Sequence, residues 1–103
     1  MNHIDQARVR REALRWLILL TLNNARPIGA FEGPILSVAQ SEYPDATPLE
    51  LRRELDYLAG RDLVKVDKQP SGRWFADLTR HGTDVAEYTI DCEPGIARPA
   101  KYW

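Results

Sequence analysis

Thr47-Pro48-Leu49-Glu50-Leu51-Arg52-Arg53-Glu54-Leu55-Asp56-Tyr57-Leu58-Ala59-Gly60-Arg61-Asp62-Leu63-Val64 carries the clearest local signature in the chain. Thr47 reads as an N-cap, and Pro48 as a first helical residue whose missing N–H costs nothing. Glu50 stands three residues after the cap, where its carboxylate can reach back to the cap's own N–H in a capping box. Leu51, Leu55 and Leu58 recur at i, i+4 and i+7, and Gly60 suits the C-terminal cap. The spacing predicts a helix over 48–59.

Downstream, Leu63-Val64-Lys65-Val66-Asp67-Lys68 and Arg73-Trp74-Phe75-Ala76-Asp77-Leu78 are rich in β-branched and aromatic residues. Four turn formers, Gln69-Pro70-Ser71-Gly72, join them, so the segment predicts a β-hairpin. Thr79 can cap a short last helix over 80–88, with Val85 and Ala86 facing inward. Past Cys92, Glu93-Pro94-Gly95-Ile96-Ala97-Arg98-Pro99 is incompatible with regular helix. The reading is a domain over 1–90 and an extended tail over 91–103, anchored by Tyr102 and Trp103.

Upstream, a helix is expected over 32–41, with Pro34 in its first turn and Ile35, Leu36, Val38 and Ala39 on its apolar side. Tyr43-Pro44-Asp45-Ala46 then turns, because the residue before a proline is driven out of the helical region. The first segment, 4–23, lacks Gly and Pro and places Val9, Ala13, Trp16, Leu17 and Leu20 at helical spacing. From Trp16 onward, Ile18, Leu19 and Leu22 add apolar groups around the rest of the circumference, and a helix apolar all round is buried all round. The second face is expected to meet another chain or the C-terminal tail. Trp16, Ile18, Leu19, Leu22, Tyr102 and Trp103 are the residues expected at a homodimer interface. Asn23-Asn24-Ala25-Arg26-Pro27-Ile28-Gly29 ends the helix.

The predicted order of helix, helix, helix, hairpin, helix is that of an α+β winged helix-turn-helix domain. Residues 51–64, with Gly60-Arg61-Asp62-Leu63-Val64, resemble the third helix and first wing strand of ArsR-like and MarR-like bacterial regulators. Leu78-Thr79-Arg80-His81-Gly82-Thr83-Asp84-Val85-Ala86 is similar to the Leu-Thr-x-x-Gly-x-x-x-Ala run that follows their wing. The short length and the Pro-Gly-Ile-Ala-Arg-Pro tail also resemble a small family of proteins from Mu-like bacteriophages.

This resemblance implies that the third helix enters the major groove of double-stranded DNA and that the wing touches the adjacent backbone. The matching positions are Thr47, Arg52, Arg53 and Tyr57 on the helix and Lys65, Lys68 and Arg73 on the wing, supported by Arg80. Arg52 and Arg53 are expected to contact the groove. Glu50, Glu54 and Asp56 share that helix and oppose a polyanion. A small phage-type DNA-binding regulator is therefore one expectation. The other is a non-catalytic adaptor that docks a protein partner, suggested by the apolar first helix and the aromatic end. A homodimer fits both.

Composition narrows the remaining classes. A chain of 103 residues, 44% hydrophobic and 28% charged, is sized and balanced for one globular domain. Net charge is −1, but it is unevenly spread: +3 over 1–26, −4 over 27–60, +2 over 61–82 and −2 beyond. Any basic surface must come from the first helix and the hairpin. Arg8, Arg11 and Arg15 share one face of that helix, where they can flank a groove or simply solubilise it.

One cysteine, Cys92, permits no internal disulfide and points to a reducing, cytoplasmic setting. His3 and His81 are isolated, so no nucleophile–base pair and no metal-ligand spacing can be assembled. Gly29, Gly33 and Gly60 read as turn and cap residues rather than a phosphate loop. No enzyme activity, cofactor or metal is expected. The start of the chain lacks a signal-peptide pattern, and the run Trp16 to Leu20 is too short to cross a bilayer.

Overall fold

The computed structural model describes residues 4–101, which form four helices and a small three-stranded antiparallel sheet, an α+β arrangement. In chain order these are α1 (Gln6–Asn24), β1 (Ala30–Phe31), α2 (Glu32–Glu42), α3 (Pro48–Gly60), β2 (Val64–Lys68), β3 (Trp74–Leu78) and α4 (Arg80–Ala86). The strand order is β1-β3-β2, with Ala30 opposite Ala76, Phe31 opposite Phe75, and Val66 also opposite Ala76. The two-residue β1 was not foreseen. It is too short to carry a period-2 pattern and exists only because β3 offers it an edge.

Capping explains most boundaries. Asp5 accepts from the Arg8 N–H at 3.1 Å, Thr47 Oγ1 from the Glu50 N–H at 3.2 Å, and Thr79 Oγ1 from the Gly82 N–H at 2.9 Å. The reciprocal half of the expected capping box is not made. Glu50 instead receives both its hydrogen bonds from Arg10 on α1, at 2.7 and 2.8 Å, because a guanidinium fork binds a carboxylate more strongly than one amide does.

Gly60 lies inside α3 rather than beyond it, and Asp62 takes the left-handed C-terminal position at φ 61°. The Leu63 N–H donates to Leu58 O and the Asp62 N–H to Ala59 O, the Schellman pattern, with Leu58 and Leu63 both fully buried. The Asp62 carbonyl then accepts from Thr79 Oγ1 at 2.7 Å, so the end of α3 is tied to the start of α4. Gly82 packs so closely there that a Cβ would collide with the Leu63 carbonyl.

One core runs between the helices and the inner face of the sheet. It contains Trp16, Ile18, Leu19, Leu22, Ile35, Leu51, Leu55, Leu58, Leu63, Val64, Ala76, Leu78, Val85, Ala86 and Ile96. Leu14, Ala39 and Ala46 form a smaller cluster between α1, α2 and the turn before α3. Trp16, Ile18, Leu19 and Leu22 are therefore corrected from an intermolecular surface to the interior of their own domain. Leu19 and Leu22 are fully buried, and Trp16 packs edge-on against Tyr88 at 6.0 Å. α2, α3, α4, β3 and the tail cover most of α1, which accounts for the apolar groups beyond its first face. Tyr102 and Trp103 lie outside the described residues.

The tail over 91–101 has no helix or strand, yet it is stapled down. Ile96 is buried, the Ala97 N–H donates to Glu12 O at 3.1 Å, and Tyr88 Oη donates to Pro99 O at 2.8 Å. Among the described residues no helix is long and apolar enough to cross a membrane.

Candidate nucleic-acid interface

α3 divides its charged residues between three directions, set by the 100° step between helical neighbours. Glu50 and Glu54 point toward α1. Glu50 pairs with Arg10, whose NH1 also reaches Asp45 at 2.9 Å, while Glu54 pairs with Arg15 at 2.7 Å. Arg52 points the opposite way, toward α2 and the hairpin. Leu49, Arg53 and Asp56 are left on the outward face, and all three are exposed.

Arg52 does not present a free guanidinium. Its Nε donates to Glu32 Oε2 at 2.7 Å and its NH2 to Glu32 Oε1, and the same NH2 donates to Gly72 O at 2.7 Å. Its plane also lies 4.7 Å from the Trp74 ring centroid. Arg52, expected at the major groove, is instead engaged within the domain, where its fork closes the start of α2 against the hairpin tip. Arg52 holds the Glu32 carboxyl below the usual carboxylate range, outweighing the effect of its partial burial.

Tyr57 is likewise turned away from the outward face. Its ring lies between Arg15 at 3.5 Å and Arg61 at 5.6 Å, its Oη accepts from Arg61 NH1 at 3.0 Å, and Gly95 of the tail presses against it. Thr47 is exposed and serves as the cap. On the hairpin, Lys68 is 3.2 Å from Asp56 and 4.4 Å from the Trp74 ring, so Trp74 is flanked by two cations and the hairpin is fixed to α3. Arg73 stacks 3.8 Å over Phe31, which itself meets Phe75 edge-on at 5.0 Å. Lys65 is exposed, with no partner among the described residues. Arg80 is almost fully exposed and only 4.0 Å from Asp84.

Of the predicted α3 cations, then, only Arg53 is both exposed and unpaired. Two further features bear on this surface, of which only Leu49 was not singled out from the sequence. Leu49 stands 62% exposed beside Arg53 on the outward face of α3. Arg11 separates from the arginines expected to share its face, since Arg8 pairs with Glu12 and Arg15 with Glu54, leaving Arg11 without a partner. Arg11 and Arg53 line one open cleft between α1 and α3, together with Ala7, Arg10, Glu50 and Glu54, with a volume of about 270 Å³.

Among the described residues no group of His, Cys, Asp and Glu is placed to hold a metal ion. Cys92 is half-buried, and burial pushes its thiol above its ordinary range despite the nearby Arg98 and Arg61. His81 is exposed. Comparison of the chain with models of known families, with curated proteins and with solved structures finds no match.

Proposed function

We propose that this chain is a small, non-catalytic winged-helix module that binds double-stranded DNA through the outward face of α3 and the hairpin, as a regulator of the phage type would. The element order, with β1 placed between α1 and α2 and paired to the second hairpin strand, supports the winged-helix reading. One observation carries the functional part. The two glutamates of α3 that would repel phosphate are withdrawn toward α1 and neutralised by Arg10 and Arg15, while Arg53 stays outward and unpaired.

The charge available is modest. Arg11, Arg53 and Lys65 are unpaired, so a single chain neutralises at most roughly three phosphates, for a salt slope no steeper than about −2.7 in log–log form. Affinity for random duplex should accordingly be weak. A homodimer would double the contacts and pair two half-sites. Self-association is proposed through the exposed Val9 and the partly buried Ala13, Leu17 and Leu20, on a side of α1 that Gln6 and Asn24 complete without charge. Leu17 and Leu20 also pack against their own core. The test is fluorescence anisotropy of a labelled random duplex at two salt concentrations. Salt-sensitive binding supports the proposal, and no binding at low salt overturns it.

The exposed Leu49 and the uncharged side of α1 favour a second reading, a protein-docking adaptor. That reading predicts no salt-sensitive duplex binding.

A further inference from the structure

Arginine in this protein is almost always spoken for. The sequence holds eleven arginines. Among the described residues every one has a carboxylate, a carbonyl or an aromatic ring as partner except Arg11 and Arg53. Those two come from different helices and line the same cleft. Two unpaired guanidinium groups on one cleft favour the entry of an anion between them.

We propose that the cleft between α1 and α3 is a phosphate clamp in which Arg11 and Arg53 grip one backbone phosphate of the bound nucleic acid. The clamp rests on the nucleic-acid reading given above and refines it, making Arg53 a positioning contact rather than a reader of bases. The carboxylates already in the cleft do not compete. Glu50 has both oxygens taken by Arg10, and Glu54 is held by Arg15, whose charge adds to the cleft from behind. A tetrahedral phosphate directs its oxygens toward both helices. A carboxylate presents only two coplanar oxygens, which one arginine fork can engage together, as Arg10 does at Glu50. The cleft is open to solvent along the outward face of α3, so a phosphate can enter while still attached to a polymer.

Two measurements test the clamp separately from the wider reading. The first is duplex anisotropy against salt for the full chain and for Arg11→Gln, Arg53→Gln and the double variant. Both residues lack internal partners, so the fold should be unaffected. Each single change is expected to weaken binding several-fold, and the double change to reduce the salt slope by about 1, because the two arginines share one phosphate. The second follows the arginine Nε–Hε resonances of the full chain on adding inorganic phosphate, with sodium acetate as control. Arg11 and Arg53 should shift with phosphate and not with acetate. Duplex binding with an unchanged slope in the double variant overturns the clamp and leaves the DNA reading standing. If no duplex binds, the DNA reading fails and the phosphate titration decides: selective shifts at Arg11 and Arg53 keep the clamp as a phosphate site. Absent shifts, or equal shifts with acetate, overturn it.

Discussion

Arg15 and Glu54 form an ion pair in the interior between α1 and α3, with Arg15 Nε donating to Glu54 Oε1 at 2.7 Å and only 12% and 5% of the two side chains exposed. Glu54 is the sole buried charged residue among those described. Arg15 NH1 continues to Gly95 O at 2.9 Å, and the guanidinium lies 3.5 Å over the Tyr57 ring. A single side chain thereby joins two helices and the tail. Its removal leaves Glu54 charged, buried and unpaired, which is the costly half of a buried ion pair.

Arg15→Ala should therefore destabilise the domain by about 3–5 kcal/mol in urea unfolding. Arg15→Met combined with Glu54→Leu should recover most of that, because no unpaired charge remains. A double variant as unstable as Arg15→Ala would show that packing around Tyr57, rather than the buried charge, sets the cost.

Glu32 makes stability depend on pH in the acid range. Its carboxyl is held below the ordinary value of 4.5, chiefly by the hydrogen bonds from Arg52 and also by the Trp74 N–H. The stability this contributes is fully present above the unfolded-state value and is lost as pH falls through the lower folded-state value. Stability measured from pH 6 down to pH 3 should fall below about pH 4.5, and Glu32→Gln should flatten part of that fall. Parallel curves for the two proteins would assign the acid sensitivity to other carboxylates.

Arg52 and Arg53 are adjacent in sequence and opposite in consequence. Arg52→Ala removes three charge-assisted hydrogen bonds from the Glu32 carboxylate and the Gly72 carbonyl. The domain should melt at a lower temperature than the parent, with faster exchange of the Gly72 amide at the hairpin tip. Arg53→Ala should leave stability within about 0.5 kcal/mol. The double alanine variant thus confounds folding with binding, whereas Arg53 alone reports on binding. Equal melting temperatures for the two single variants would contradict this division.

The helices and the hairpin were legible because their signals are local. Thr47-Pro48, Thr79 and Gln69-Pro70-Ser71-Gly72 act within a few residues of themselves. What was illegible depends on partners far along the chain. Glu50 fits a capping box until Arg10, forty residues earlier, takes its carboxylate. Arg52 and Arg53 read identically until Glu32 and the hairpin tip claim one of them. The apolar circumference of α1 left two occupants open, another chain or the tail. The domain's own elements and the tail cover most of that circumference, because Ile96 reaches the same core as Trp16 and Leu19. Gly60 drew attention as a cap although Asp62 performs that role, since aspartate tolerates the left-handed region better than most residues.

The tail offers a last prediction, since it is held by one buried side chain and a set of arginine hydrogen bonds rather than by regular structure. Ile96 is 8% exposed within the main core, and Arg61 and Arg98 donate to the Pro94, Val85 and Ile90 carbonyls around it. Cys92 packs against the same core, and its burial pushes the thiol upward. Ile96→Ala creates a cavity at the anchor and should cost about 2–4 kcal/mol. It should also loosen the neighbouring segment enough to expose Cys92, lowering the thiol toward its ordinary range and raising the thiolate fraction at pH 8. Alkylation of Cys92 by iodoacetamide in the native state should therefore run several-fold faster in Ile96→Ala than in the parent chain. Val38→Ala on the exposed side of α2 serves as the control and should leave the rate unchanged. Equal alkylation rates for Ile96→Ala and the parent chain would mean that Cys92 is shielded by α4 and the core alone, and that the tail is not what keeps it buried.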